Sequence, residues 1–146
     1  MVRGRGARTD RFVVVDTDVL IDYFAGVSLS AEAVERLLKQ DRLAVTALTL
    51  FELACGTQTE EQRRDLERLI LAARALDLDA AAALQAGAVY RRLKARGELL
   101  PVPDLLIAGC CLAVGWPLLT RNVGHFRRVP GLELWEPAHL LDSGPG

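Results

Sequence analysis

Four consecutive apolar residues, Phe12-Val13-Val14-Val15, run straight into a carboxylate, Asp16. A short unbroken apolar run rich in β-branched residues predicts a strand buried on both faces, and such a strand needs helices above and below it. The rest of the chain supplies them. After the strand over 11–15, a short helix is expected over 16–24, ended at Gly26. Ser28 or Ser30 is placed to cap the next helix, whose Ala33, Val34, Leu37 and Leu38 follow the helical period. A brief strand over 43–45 leads to Thr46, a cap for a helix over 47–55 that stops at Gly56. Thr59 opens a helix over 60–73, a strand follows over 75–78, and Asp79 caps an alanine-rich helix to Arg96. Residues 98–103, with two prolines, read as a loop before a helix over 104–114 and strands over 117–120 and 132–135. Strands alternating with helices imply crossover connections. The expected fold is a three-layer α/β/α sandwich around a short, mainly parallel sheet of about five strands. Residues 1–10 are expected to be a flexible basic extension, 11–137 the domain and 138–146 a flexible tail.

Composition narrows the function more by exclusion than by assertion. At 146 residues the chain is long enough for one domain with a real core. A net charge of −1 gives no global attraction for nucleic acid, so any basic surface must be local. Only Lys39 and Lys94 of the 18 basic residues are lysines, a skew that GC-rich coding explains as well as phosphate binding does. Cys55, Cys110 and Cys111 are odd in number and lie within apolar helical patterns, which argues against a disulfide framework or zinc site. No apolar stretch is long enough for a membrane span, and the apolar run behind the basic N-terminus is too short for a signal peptide. The expected compartment is the cytoplasm.

Three acids stand where a short chain should not leave them without a reason. Asp16 ends a buried strand, Glu52 interrupts the apolar stretch from Ala44 to Cys55, and Asp104 opens the apolar run Leu105 to Val114. Each has a plainer explanation when taken singly. Asp16 suits a helix cap, Asp104 suits a helix start after proline, and Glu52 suits a solvated helix position. Together, at the edge of one core and with few lysines as partners, they point to a divalent cation held by oxygen ligands. In an open parallel sheet the carboxyl ends of the strands form the binding edge. Asp16 lands there, the helices carrying Glu52 and Asp104 start there, and Thr120, Arg121 and Asn122 follow the fourth strand to the same edge.

Four segments carry a family resemblance. Val13-Val14-Val15-Asp16-Thr17-Asp18-Val19-Leu20-Ile21-Asp22, Thr49-Leu50-Phe51-Glu52-Leu53, Pro103-Asp104-Leu105-Leu106-Ile107-Ala108 and Leu119-Thr120-Arg121-Asn122-Val123-Gly124-His125-Phe126 resemble, in order, the motifs of PIN-domain ribonucleases, most of all the VapC-type toxins of bacterial toxin–antitoxin pairs. The resemblance spans residues 11 to 137 and implies a metal-dependent endoribonuclease, commonly a homodimer, neutralised by a small antitoxin protein. It puts Asp16, Glu52 and Asp104 in the places of the catalytic acids, with Asp16 and Asp104 as ligands of Mg2+ or Mn2+. Asn122 takes a fourth place that is often an aspartate, and His125 stands where a further acid is frequent. Thr17 is implied to support Asp16 by hydrogen bonding, with Asp18 and Thr120 as further supporting residues. Asp18 would reach the metal through water or cap the short helix. Arg121 and His125 are candidates for contacting RNA, and Phe126 is expected to pack inward, leaving His125 on the rim. Asp22 reads as a surface or salt-bridge residue. Hydrolysis would leave a 3′-hydroxyl and a 5′-phosphate.

Two other readings fit some of these residues. Asn122, being neutral, is compatible with a catalytically weak PIN-like module that binds RNA or protein. Asp16-Thr17-Asp18-Val19 also resembles the first motif of haloacid-dehalogenase-type phosphatases, with Asp16 as nucleophile and Asp18 as general acid. That family needs a lysine after a later strand and a late acidic pair, neither of which is present, and it leaves Glu52 unexplained.

Overall fold

In this computed structural model, which describes residues 11–142, β1 is Val13–Val15, and all three of its side chains are fully buried. Alternation along so short a strand divides the core in two. Val14 faces one side of the sheet, while Val13 and Val15 face the other. The remaining strands are β2 (Leu43–Thr46), β3 (Arg74–Leu76), β4 (Leu118–Leu119) and β5 (Leu134–Trp135), in the spatial order β3-β2-β1-β4-β5 with every neighbouring pair parallel. The helices are α1 (Thr17–Phe24), α2 (Ser28–Lys39), α3 (Ala47–Cys55), α4 (Glu60–Ala72), α5 (Ala80–Ala95), α6 (Val102–Val114), α7 (Val123–Phe126) and α8 (Pro137–Asp142). Helices α5, α6 and α7 cover the Val14 face, with Phe126 fully buried there. Helices α1, α2, α4 and α8 cover the other. Helix α3 lies across the boundary, giving Leu48 to the first cluster and Leu50 and Leu53 to the second. The expected three-layer α/β/α fold with a five-stranded sheet is the fold observed.

Most of the expected caps are present. Thr46 accepts from the Thr49 N–H at 3.1 Å and Asp79 from the Ala82 N–H at 2.9 Å, while Thr59 and Gln62 form a reciprocal capping box. Gly115, at φ +72°, ends α6 in the left-handed region that disfavours a side chain. Four expectations need correction. Neither Ser28 nor Ser30 caps α2. Its N-cap is Val27, with no side-chain bond, and the Ser30 hydroxyl instead donates to Asp22 at 3.3 Å. Helix α6 starts at Val102, before Asp104, because prolines are tolerated in a first turn whose N–H groups lack helical partners. Strands β1, β4 and β5 are shorter than expected and β3 is shifted to begin at Arg74, as strand ends without ladder partners fall outside the sheet. Finally, the tail expected over 138–146 begins inside α8. Leu140 is buried in the second core and its carbonyl accepts from Arg36 Nη1 at 2.9 Å. Six residues are too few for helical periodicity to register in the sequence. The extension expected over 1–10 lies outside the described residues, as do 143–146.

The tightest helix contact is between α5 and α6. A Cβ placed on Gly109 would press into the Ala82 carbonyl and stand 2.8 Å from Ala86 Cβ. Gly87, also within a helix, has nothing within 4 Å of the same position. Gly109→Ala is therefore expected to destabilise the protein by about 1–3 kcal/mol through overpacking. Gly87→Ala should stabilise it by roughly 0.5–1 kcal/mol by restricting the unfolded chain. Urea unfolding of both variants beside the parent checks the pair, and equal effects would contradict this packing.

Candidate active site

The strand order reverses beside β1, where the chain passes first to β2 and later to β4 on the other side. A crevice opens there at the carboxyl ends of the strands. Pairing of Val15 with Leu119 puts the next residues, Asp16 and Thr120, side by side. Thr120 Oγ1 donates to Asp16 Oδ2 at 2.7 Å, and Asp16 Oδ1 accepts the Thr17 N–H at 2.9 Å, so the carboxylate both caps α1 and bridges the crevice. Thr120 Oγ1 also accepts the Asn122 N–H at 2.9 Å, which fixes the loop after β4 to the same point.

Asp16 is 6% exposed. Burial is the main force raising its pKa, from the ordinary carboxylate range to about 7, and the negative charges of Asp18 and Asp104 raise it further against the two hydrogen bonds. Asp104 is raised too, mainly by burial and then by the charge of Glu52, with His125 acting in opposition. Burial likewise raises Asp18, against hydrogen bonds that include the Arg121 backbone N–H, 3.3 Å from its Oδ2. The acids predicted from sequence thus share one field, although they come from three segments far apart in the chain. Glu52 reaches it from α3, where Thr17 Oγ1 donates to its Oε1 at 2.9 Å.

Three assignments change in detail. The Thr17 hydroxyl supports Glu52, while only its backbone N–H reaches Asp16. Asn122 is joined to the cluster through His125. Its Nδ2 lies 2.8 Å from His125 Nδ1, and that ring nitrogen lies 3.7 Å from Asp104 Oδ2. The His125 side chain is 45% exposed above the buried Phe126, on the rim as expected. The Arg121 guanidinium pairs with Asp22 at 2.7 Å, a bond that ties the β4 loop to α1 and competes with any phosphate for that charge. Thr46 and Thr49, both fully buried, belong to the site and were not singled out for it from sequence. Thr49 Oγ1 lies 3.0 Å from Thr17 Oγ1 and 3.3 Å from Thr46 Oγ1. Its signal was a polar residue one helical turn before Glu52, hidden by the good cap that Thr46 makes.

The donors gathered here are carboxylate, hydroxyl and amide oxygens, which suit a hard divalent cation, with no thiolate or histidine pair that would favour a softer one. Among the described residues, no three Asp, Glu, His or Cys side chains are close enough together to enclose an ion unaided. The set fits a cation that keeps part of its water shell, not one caged by protein alone.

Comparison with known proteins agrees with this architecture. The PIN domain family matches residues 13–132. Ribonuclease VapC1 of Methanocaldococcus jannaschii is 30% identical over 126 residues, covering 85% of this chain and 87% of that protein. The tRNA(fMet)-specific endonuclease VapC of Shigella flexneri is 32% identical over 124 residues, covering 82% and 92%. The solved structure of VapBC-1 from nontypeable Haemophilus influenzae superposes with a TM-score of 0.75 at 30% identity, over 87% of this chain and 98% of that one. A carboxylate-lined crevice at the switch point of a five-stranded parallel sheet is the frame of a PIN nuclease. The chain belongs to the PIN-domain family, among its VapC ribonucleases. VapC nucleases generally depend on a divalent metal, and the phosphatase reading falls away.

A proton held more tightly in the folded state than in the unfolded one stabilises the fold at low pH. For Asp16 that stability is complete below about pH 4, is lost as pH rises toward about 7, and is absent above. Metal-free Asp16→Asn is therefore expected to exceed the parent in stability near pH 8, by up to roughly 4 kcal/mol, and to lose that advantage near pH 4. Urea unfolding across this range checks it. Parallel pH profiles for the two proteins would contradict the burial argument.

Proposed function

We propose that this chain is an Mg2+- or Mn2+-dependent endoribonuclease that hydrolyses RNA phosphodiesters, acting as the toxin of a toxin–antitoxin pair. The observation that carries the reading is the buried Asp16 carboxylate, raised to about 7 by burial and by neighbouring acids, at the strand-order switch. Asp16 and Asp104 would hold the cation. When bound, it supplies Lewis-acid charge to the phosphodiester and makes a water more acidic. Glu52, held by Thr17 through one carboxylate oxygen, has its other oxygen for orienting that water and taking its proton. The water oxygen bonds to phosphorus as the bond to the 3′-oxygen breaks, and solvent reprotonates the leaving oxygen. Asn122 offers a neutral amide in place of a fourth charge. Asp18 and Thr120 hold the two loops together, and His125 stands where the RNA would enter.

The names of the relatives, a ribonuclease and a tRNA(fMet)-specific endonuclease, support RNA as the substrate, and the VapBC-1 likeness supports an antitoxin partner. A homodimer fits the same reading. Phe51, Leu71 and Leu84, each more than half exposed, are surface that such partners would cover. No helix among the described residues is long and apolar enough to cross a membrane, and RNA is a cytoplasmic substrate. Labelled RNA incubated with the purified protein should be cut with Mg2+ or Mn2+ and left whole with a chelator. Asp16→Asn should leave it whole under all conditions, and expression of the parent, but not of this variant, should slow bacterial growth. Binding of RNA without cleavage would favour a PIN-like binding module instead.

A further inference from the structure

Four polar groups run in a line beneath the crevice. Thr46 Oγ1 lies 3.3 Å from Thr49 Oγ1, Thr49 Oγ1 lies 3.0 Å from Thr17 Oγ1, and Thr17 Oγ1 lies 2.9 Å from Glu52 Oε1. Thr46 and Thr49 are fully buried, so water does not reach their hydroxyls. Each hydroxyl has one proton to give. A carboxylate can only accept, so the end at Glu52 fixes the direction of the whole line. Thr17 must spend its proton on Glu52. Its oxygen is then free to accept, and Thr49 is the group in place to donate. Thr49 in turn accepts from Thr46, whose own oxygen is occupied by the Thr49 N–H at 3.1 Å. The reverse direction would leave the Thr46 proton with nowhere to go in a dry core, and would turn a hydroxyl lone pair toward the Glu52 carboxylate. Either fault costs about 1–3 kcal/mol.

We infer that Thr49 is a positioning residue for the reaction: through Thr17 it orients Glu52, and the buried hydroxyl line Thr46–Thr49–Thr17 keeps that carboxylate in one rotamer. The inference rests on the nuclease reading above. Its structural content is separate, because the line exists whatever the site acts on. Without the Thr49 hydroxyl, Thr17 Oγ1 loses the donor behind it and is left with the bond to Glu52 Oε1 alone, too little to hold both side chains in one rotamer. Glu52 then loses its anchor while Asp16, held by Thr120 and the Thr17 N–H, keeps its own.

The test uses Thr49→Val, which keeps the branched shape and removes the hydroxyl, beside Thr49→Ser, which keeps the hydroxyl. In metal-free protein, three-bond couplings to Thr17 Cγ2 should report a single χ1 rotamer in the parent and in Thr49→Ser, and averaging in Thr49→Val. In RNA cleavage with Mn2+, Thr49→Val should lower kcat roughly ten- to a hundredfold with KM nearly unchanged, and Thr49→Ser should restore it. The double variant Thr17→Val/Thr49→Val should be no slower than Thr17→Val alone, since Thr49 acts only through Thr17. An averaged Thr17 rotamer in the parent, parent-like cleavage by Thr49→Val, or additive losses in the double variant would each overturn the inference. Should the parent fail to cleave RNA, the nuclease reading falls, and the rotamer measurement still decides whether the line is real.

Discussion

The structure depends on a buried carboxylate that no basic side chain among the described residues neutralises. Asp16 sits between the ends of β1 and β4, bonded across the crevice to Thr120 and along the chain to Thr17. Ionising it without a cation costs on the order of 4 kcal/mol. A fully buried valine contributes about 1.5–3 kcal/mol, so Asp16 cancels roughly two of the three valines in β1. A fold optimised for stability alone would place an apolar residue there. That the chain keeps the acid, and places Asp18, Asp104 and Glu52 around it, makes the site a region of stored repulsion that the proposed divalent ion would relieve.

Around that constraint the neighbouring residues act as holders. Thr120 joins the two loops at the switch point, the Arg121 backbone N–H fixes Asp18, and the Arg121–Asp22 pair fastens the β4 loop to α1. Thr17 links the first motif to Glu52, and the Asn122–His125 contact links the last motif to the side of Asp104. All of these but the Asn122–His125 contact join segments distant in sequence. The crevice is therefore shaped by long-range bonds among side chains whose helices were already positioned by the apolar core.

Much of this was legible in the sequence, for identifiable reasons. The run Val13 to Val15 and the helical periods of α2 and α6 report burial directly, and parallel topology then follows from alternation. Asp16, Glu52 and Asp104 stood out because a charge within or beside an apolar run is a local anomaly. What the sequence concealed was partnership. Nothing in the string says that the Thr17 hydroxyl turns to Glu52, that Arg121 is taken by Asp22, or that Thr49 stands behind Thr17, since these depend on register between elements tens of residues apart. The α8 helix was missed because only two of its six residues, Pro137 and Leu140, are buried, too few to show a period.

The central claim is that its surroundings raise the pKa of Asp16 to about 7, well above the ordinary carboxylate range, until the proposed cation binds. Carboxyl 13C NMR titration of Asp16, in metal-free protein and again with saturating Mg2+, tests it most directly. The expected result is a midpoint near 7 without metal and a fall below the ordinary carboxylate range, near pH 4, once the ion is present. An ordinary midpoint in the metal-free protein, or one that magnesium does not move, would contradict the account.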